Sequence, residues 1–128
     1  MVFTRLFTVE GSSVSNGSSD ELTTSDNDSW VIEKVQVVDE SGNLGAVSDV
    51  TIRISGNSLT DQNLPLSVLN SNYDELPMWN AVWQQNKELE FSYTNESGAS
   101  ITLDFVVYVR EATGSETENA PGTIVGSR

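Results

Sequence analysis

The chain has neither cysteine nor histidine among its 128 residues. Their absence removes a thiolate nucleophile, a Ser-His-Asp triad and any Cys/His zinc site together. No disulfide can form, so the redox compartment leaves no mark on the sequence. Positive charge is scarce as well: six Lys and Arg stand against 19 Asp and Glu, a net charge of −13. Phosphate binding needs clustered cations that displace counterions, so nucleic acid is not expected as a direct partner. No apolar run reaches the length of a membrane span. The opening MVFTRLFTVEGSS lacks an apolar core of signal-peptide length, so neither a span nor secretory export is expected. Long helical periodicity and internal repeats are also missing.

What is present is alternation. Residues 87 to 110 read KELEFSYTNESGASITLDFVVYVR. Leu89, Phe91 and Tyr93 fall on one face of the first run. Ala99, Ile101, Leu103, Phe105, Val107 and Val109 fall on one face of the second, and Asn95-Glu96-Ser97-Gly98 joins them. A period of two is the signature of a pleated strand, whose successive side chains point to opposite sides. The other face carries Glu88, Glu90, Ser92 and Thr94, then Thr102, Asp104, Tyr108 and Arg110, so the hairpin has one core face and one mainly wet face.

The same pattern predicts a strand from Val2 to Glu10, with Phe3, Phe7 and Val9 on one side and Leu6 on the other. Trp30 to Asp39 reads as a strand apolar on both faces for part of its length, and Ala46 to Ser55 as a third. Glu40-Ser41-Gly42-Asn43 supplies turn chemistry between them. From Ser58 to Gln85 the pattern loosens into one or two short strands broken by Pro65, then a helical turn near Leu76 to Trp83 on which Trp79 and Trp83 would share a face. Two stretches, Gly11 to Ser29 and Ala112 to Arg128, are too polar to fold alone. The expected organisation is an N-terminal strand at 1–10, a polar arm or long loop at 11–29, a sandwich core at 30–111 and an extended tail at 112–128. The fold class is all-β: an antiparallel sandwich of about seven or eight strands, enough for a single jelly roll.

Three groups of residues invite a chemical reading. Asp20, Asp26 and Asp28, with Glu21 and Asn27, supply the hard oxygens that a structural divalent cation takes. Asx-rich loops of this kind are also commonly just solvated, and the spacing fits no EF-hand. Tyr73, Trp79 and Trp83 would form either an aromatic platform for sugar rings or a plug in the core or at a subunit contact. Glu88 and Glu90 stand roughly 7 Å apart on one strand face, near the spacing of glycosidase acid pairs, though exposed acids on a wet face are far commoner. Three Asn-x-Ser sequons, at Asn16, Asn27 and Asn95, arise by chance in a chain this rich in Asn and Ser. Nothing here constitutes a catalytic set, so no enzyme activity and no cofactor beyond such a cation is expected.

The segment from Leu64 to Arg110, a Pro-Leu loop followed by K-E-L-E-F-S-Y-T-N-E-S-G and the final strand D-F-V-V-Y-V-R, resembles the small β-sandwich proteins of virions. These are capsid, decoration, turret or tail components of bacterial and archaeal viruses. The resemblance implies a multi-copy protein, made in the host cytoplasm and displayed on the particle exterior, that joins copies of itself and other virion proteins. Edge strands and the polar ends would make the contacts, with Phe3, Leu6, Phe7, Trp79, Trp83, Ile124 and Val125 as apolar anchors. The acid excess suits a halophilic or marine host. The alternative is a carbohydrate- or receptor-binding sandwich.

Overall fold

The computed structural model describes residues 4–40, 49–59 and 64–125. Within them the alternation is realised as nine strands: β1 (Thr4–Val14), β2 (Ser19–Thr24), β3 (Trp30–Asp39), β4 (Asp49–Ile54), β5 (Asn57–Ser58), β6 (Leu64–Pro65), β7 (Ala81–Trp83), β8 (Leu89–Thr94) and β9 (Ile101–Glu111). All pairings among these strands are antiparallel. One sheet has the order β1-β9-β3-β7; the other has β2-β8-β4, with the short β5 and β6 both on β4. The alternating residues of β9 and β8 are buried on one face and partly exposed on the other, as their period requires.

The inner faces meet as an antiparallel sandwich. Trp30, Ile32, Val35 and Val37 of β3 and Leu103, Phe105, Val107 and Val109 of β9 pack with Ile52, Ile54, Leu89, Phe91 and Tyr93 of the opposing sheet. Phe91 and Phe105 stack across the gap with ring centroids 4.4 Å apart. Each fully buried side chain of this size contributes about 1.5–3 kcal/mol relative to exposure, so the core alone explains a fold without metal or disulfide.

Two irregularities tune the first sheet. Between Ile32 and Lys34 the register on β9 slips, so Trp30 and Ile32 before the slip and Val35 and Val37 after it all face the core. Val31 points to the opposite side and is fully buried outside the main cluster, which accounts for a strand apolar on both faces. A second slip lies in β1 between Glu10 and Ser13. There the Gly11 amide turns to donate to Asp104 Oδ1 at 3.1 Å.

Several expectations require correction. The stretch from Gly11 to Ser29 is no free arm: Gly11 to Val14 completes β1, and Ser19 to Thr24 forms β2. An edge strand needs little apolar surface of its own when its backbone is paired, and Leu22 alone carries β2 onto the core. Trp79 and Trp83 do not share a helix face, because Asn80 adopts φ 53° and Ala81–Trp83 is extended. The short helices fall elsewhere, at α1 (Leu66–Leu69) and at 3-10 turns over Tyr73–Glu75 and Glu116–Glu118. The tail is partly ordered against the body, since Ile124 bridges antiparallel to Ala81. Phe3, the turn at 41–43 and the start of the third expected strand at 46–48 lie outside the described residues.

Candidate functional site

The expected anchors divide by environment. Leu6 projects outward from β1 and is 54% exposed, beside Tyr108 in register on β9. Phe7 faces inward and meets Trp30 and Trp83 edge-on at 5.6 and 5.4 Å. Trp83 is buried in the core, its indole N–H donating to the Lys87 carbonyl at 2.8 Å. Trp79 packs half-buried against the same core. Ile124 is 60% exposed, whereas Val125 is partly buried and its amide donates to the Asn80 carbonyl at 2.8 Å. Tyr73 sits edge-on to Tyr108 at 4.7 Å, with the Lys34 ammonium 4.1 Å from its ring. The three aromatics proposed as a sugar platform therefore do not gather on one surface: two belong to the core and the third to a Lys34-Tyr73-Tyr108 cluster on the outside of the first sheet.

The acids are likewise dispersed. Asp26 Oδ2 accepts the Trp30 indole N–H at 2.9 Å and the Asp28 amide at 3.1 Å, which makes it a cap for the turn into β3. Asp20 lies on β2, and no group of three or more acidic ligands converges among the described residues. Glu88 is exposed and precedes β8; Glu90 meets Glu21 across the β2-β8 pairing, and Glu88 is near enough to act on Glu21 as well. The hydrogen bond and repulsion between the Glu21 and Glu90 carboxyls hold Glu21 above the ordinary carboxylate value. Arg53 lies 3.4 Å from Glu90. A second acid group forms on the outside of the first sheet, where Asp104 and Glu10 raise Glu40 in the same way. An open depression of about 620 Å³ lies over Ser19, Glu21, Asp49, Thr51, Ser92 and Thr94 on the outside of the second sheet. Its lining is hydroxyl and carboxylate, suited to water and counterions.

The sheet edges are the other surface a sandwich presents, because unpaired N–H and C=O groups there template further strands. At β7 the tail covers the edge: the Val82 amide donates to Thr123 O, Gly122 to Val82 O and Val125 to Asn80 O, at 2.8 to 2.9 Å. At β4 the edge carries β5 and β6. Among the described residues, β1 and β2 each pair on one side only. β2 is six residues long and bears Asp20 and Glu21; β1 is eleven long, with no acid before Glu10.

One residue of structural weight escaped the sequence reading. Asn95 is fully buried, and its side-chain amide donates to Val14 O at 2.8 Å and Ala99 O at 2.7 Å. Its Oδ1 accepts from the Ser97 amide and hydroxyl, and its own backbone pairs with Gly17 and Ser18. The β1-β2 and β8-β9 turns are thus tied at one point, and the sequon at Asn95 is closed to modification in the folded chain. Its sole sequence signal was position, at the head of a predicted turn. Compared with protein-family models, curated proteins and solved structures, the chain finds no match.

Proposed function

We propose that the sandwich is a single jelly roll and that the protein is a multi-copy structural component of a virus particle, displayed on its exterior. The observation that carries this reading is the winding. Apart from the two-residue β5 and β6, successive strands alternate between the sheets, so that β1, β3, β7 and β9 fill one and β2, β4 and β8 the other. A jelly roll has eight strands in two sheets, and β5 with β6 occupies the eighth position beside β4. Capsid and lectin domains both use that architecture, and a fold by itself does not choose between functions. The surface favours the structural role: of the three aromatics that would stack on a sugar, Trp79 and Trp83 pack with the core and Tyr73 stands apart from them on an outer face. A chain of net charge −13 suits an outward face rather than the lining of a genome.

Assembly in this reading proceeds through paired edges, with both polar segments folded in. The test is to purify particles on a density gradient and quantify the chain by mass spectrometry after surface biotinylation, for which Lys87 is exposed. Many copies per particle, biotinylated without disruption, are expected. A chain that stays with cell debris, or an intact chain that answers a glycan array, overturns the proposal.

A further inference from the structure

We infer that the open edge of β1 receives a second copy of this chain, the two β1 strands pairing antiparallel about a twofold axis beside Leu6. The inference rests on the multi-copy reading and names the edge and the partner.

The edge is chemically distinct from the rest of the surface. Residues 4 to 9, TRLFTV, carry one cation and no acid in a chain whose net charge is −13. A basic partner protein would be drawn to the acid groups elsewhere, whereas a second copy brings the same acid-free ribbon, with one arginine and the exposed Leu6. Isologous pairing is also the commonest way identical chains associate.

The register follows from charge and from both faces. Centred on Leu6, the pairing sets each Leu6 against its twin on the outer face, so two side chains now 54% exposed bury one another. On the inner face Arg5 comes opposite the twin's Phe7. Arg5 already lies 4.6 Å from its own Phe7 ring and has no carboxylate partner among the described residues, so a second aromatic face extends the contact it prefers. Centring on Thr8 instead would oppose Leu6 to Glu10. The acid group of Glu10, Glu40 and Asp104 lies four residues beyond Leu6, which separates the two copies' groups by roughly 27 Å at about 3.4 Å per residue. That exceeds the screening length of about 8 Å at physiological salt, so repulsion disfavours registers shifted toward Glu10 and spares this one. A ribbon of this length buries less than the roughly 1,200 Å² of a stable standard complex. The pairing is therefore weak alone and gains strength from repetition in a lattice.

Analytical ultracentrifugation of the full chain up to millimolar loading, in dilute and in molar salt, tests it. Wild type is expected to approach twice 13.9 kDa at high loading, more readily in salt. Leu6→Lys, and Leu6→Thr as the variant that keeps strand propensity, are expected to remain at monomer mass with unchanged far-UV circular dichroism. A monomer under every condition overturns the inference, as does a dimer indifferent to both substitutions. If the chain is abundant in particles yet monomeric in solution throughout, this edge is wrong and the virion role stands. If it dimerises through Leu6 but is absent from particles, the edge stands without that role.

Discussion

Replacing Asn95 discriminates between a packing role and a hydrogen-bonding one. In Asn95→Ala, the Val14 carbonyl and the Ser97 amide lose the partners that the side chain provided, while Ala99 O keeps the Ser97 hydroxyl at 3.0 Å. Leaving a buried polar group unsatisfied costs about 1–3 kcal/mol, so the Val14 carbonyl, with a smaller share from the half-buried Ser97 amide, predicts a loss of about 3 kcal/mol. For a domain holding about 5–15 kcal/mol in total, that is a large share and a fall in Tm of roughly 10 °C. Asn95→Asp is nearly isosteric but exchanges the donating amine for an acceptor that would face Val14 O and Ala99 O. It is therefore expected to cost more than alanine at neutral pH. The new carboxyl would have its pKa raised by folding, so its penalty shrinks as pH falls and the proton supplies one donor. Urea unfolding followed by the fluorescence of buried Trp30 and Trp83 measures both variants. An aspartate milder than alanine at neutral pH, or either variant within about 0.5 kcal/mol of wild type, would refute the assignment.

Other perturbations test other joints of the fold. A β-carbon on Gly11 would overlap the Leu103 carbonyl oxygen, so Gly11→Ala is expected to lose about 2–3 kcal/mol in urea unfolding. Tyr93→Phe removes a buried hydroxyl with no partner, whose pKa burial and then Asp20 push up to about 12, and should leave stability unchanged or raise it by up to about 1 kcal/mol. Deleting the residues after Pro121 uncovers the β7 edge, so the chain should keep its circular dichroism yet scatter light on concentration, where full-length protein stays clear. Stability against pH should peak on the mildly acidic side. Glu21 and Glu40 have raised folded values, so their repulsion is relieved as pH falls through those raised values toward 4.5, and that gain is lost as pH rises through them. Glu116, held near 2 by hydrogen bonds from Arg110, contributes above 4.5 and loses its contribution as pH falls toward 2. Thermal melts across that range that rise steadily to neutrality would contradict this.

How much of the fold was legible depended on where each residue's energy comes from. The β8-β9 hairpin and the span of β3 follow from side-chain burial, which writes a period of two into the sequence. β2 was not legible, because its order comes from backbone pairing with β8 and from one leucine, Leu22, and pairing leaves no compositional trace. The tail was missed because what holds it is backbone pairing along β7 and polar bonds from Arg110, Asn57 and Gln84, all distant in sequence from their partners or without periodicity, while its apolar Ile124 remains exposed. Trp79 and Trp83 obey helical spacing, yet one left-handed residue, Asn80, converts the segment to a strand. The Glu21-Glu90 contact pairs residues 69 positions apart, beyond the reach of any local pattern.

The central claim is that both polar segments are integral to the fold, the first as the end of β1 and as β2, the second as a cover on β7, and that among the described residues the acid-free edge of β1 is the one kept for neighbours. Hydrogen exchange on dilute and concentrated protein tests it most directly. The account predicts protection of β2 and of residues 122–125 at both concentrations, with the outward amides of residues 4–10 slowing only in the concentrated sample. Exchange within seconds at 19–24 and 122–125, or outward β1 amides indifferent to concentration, would contradict it.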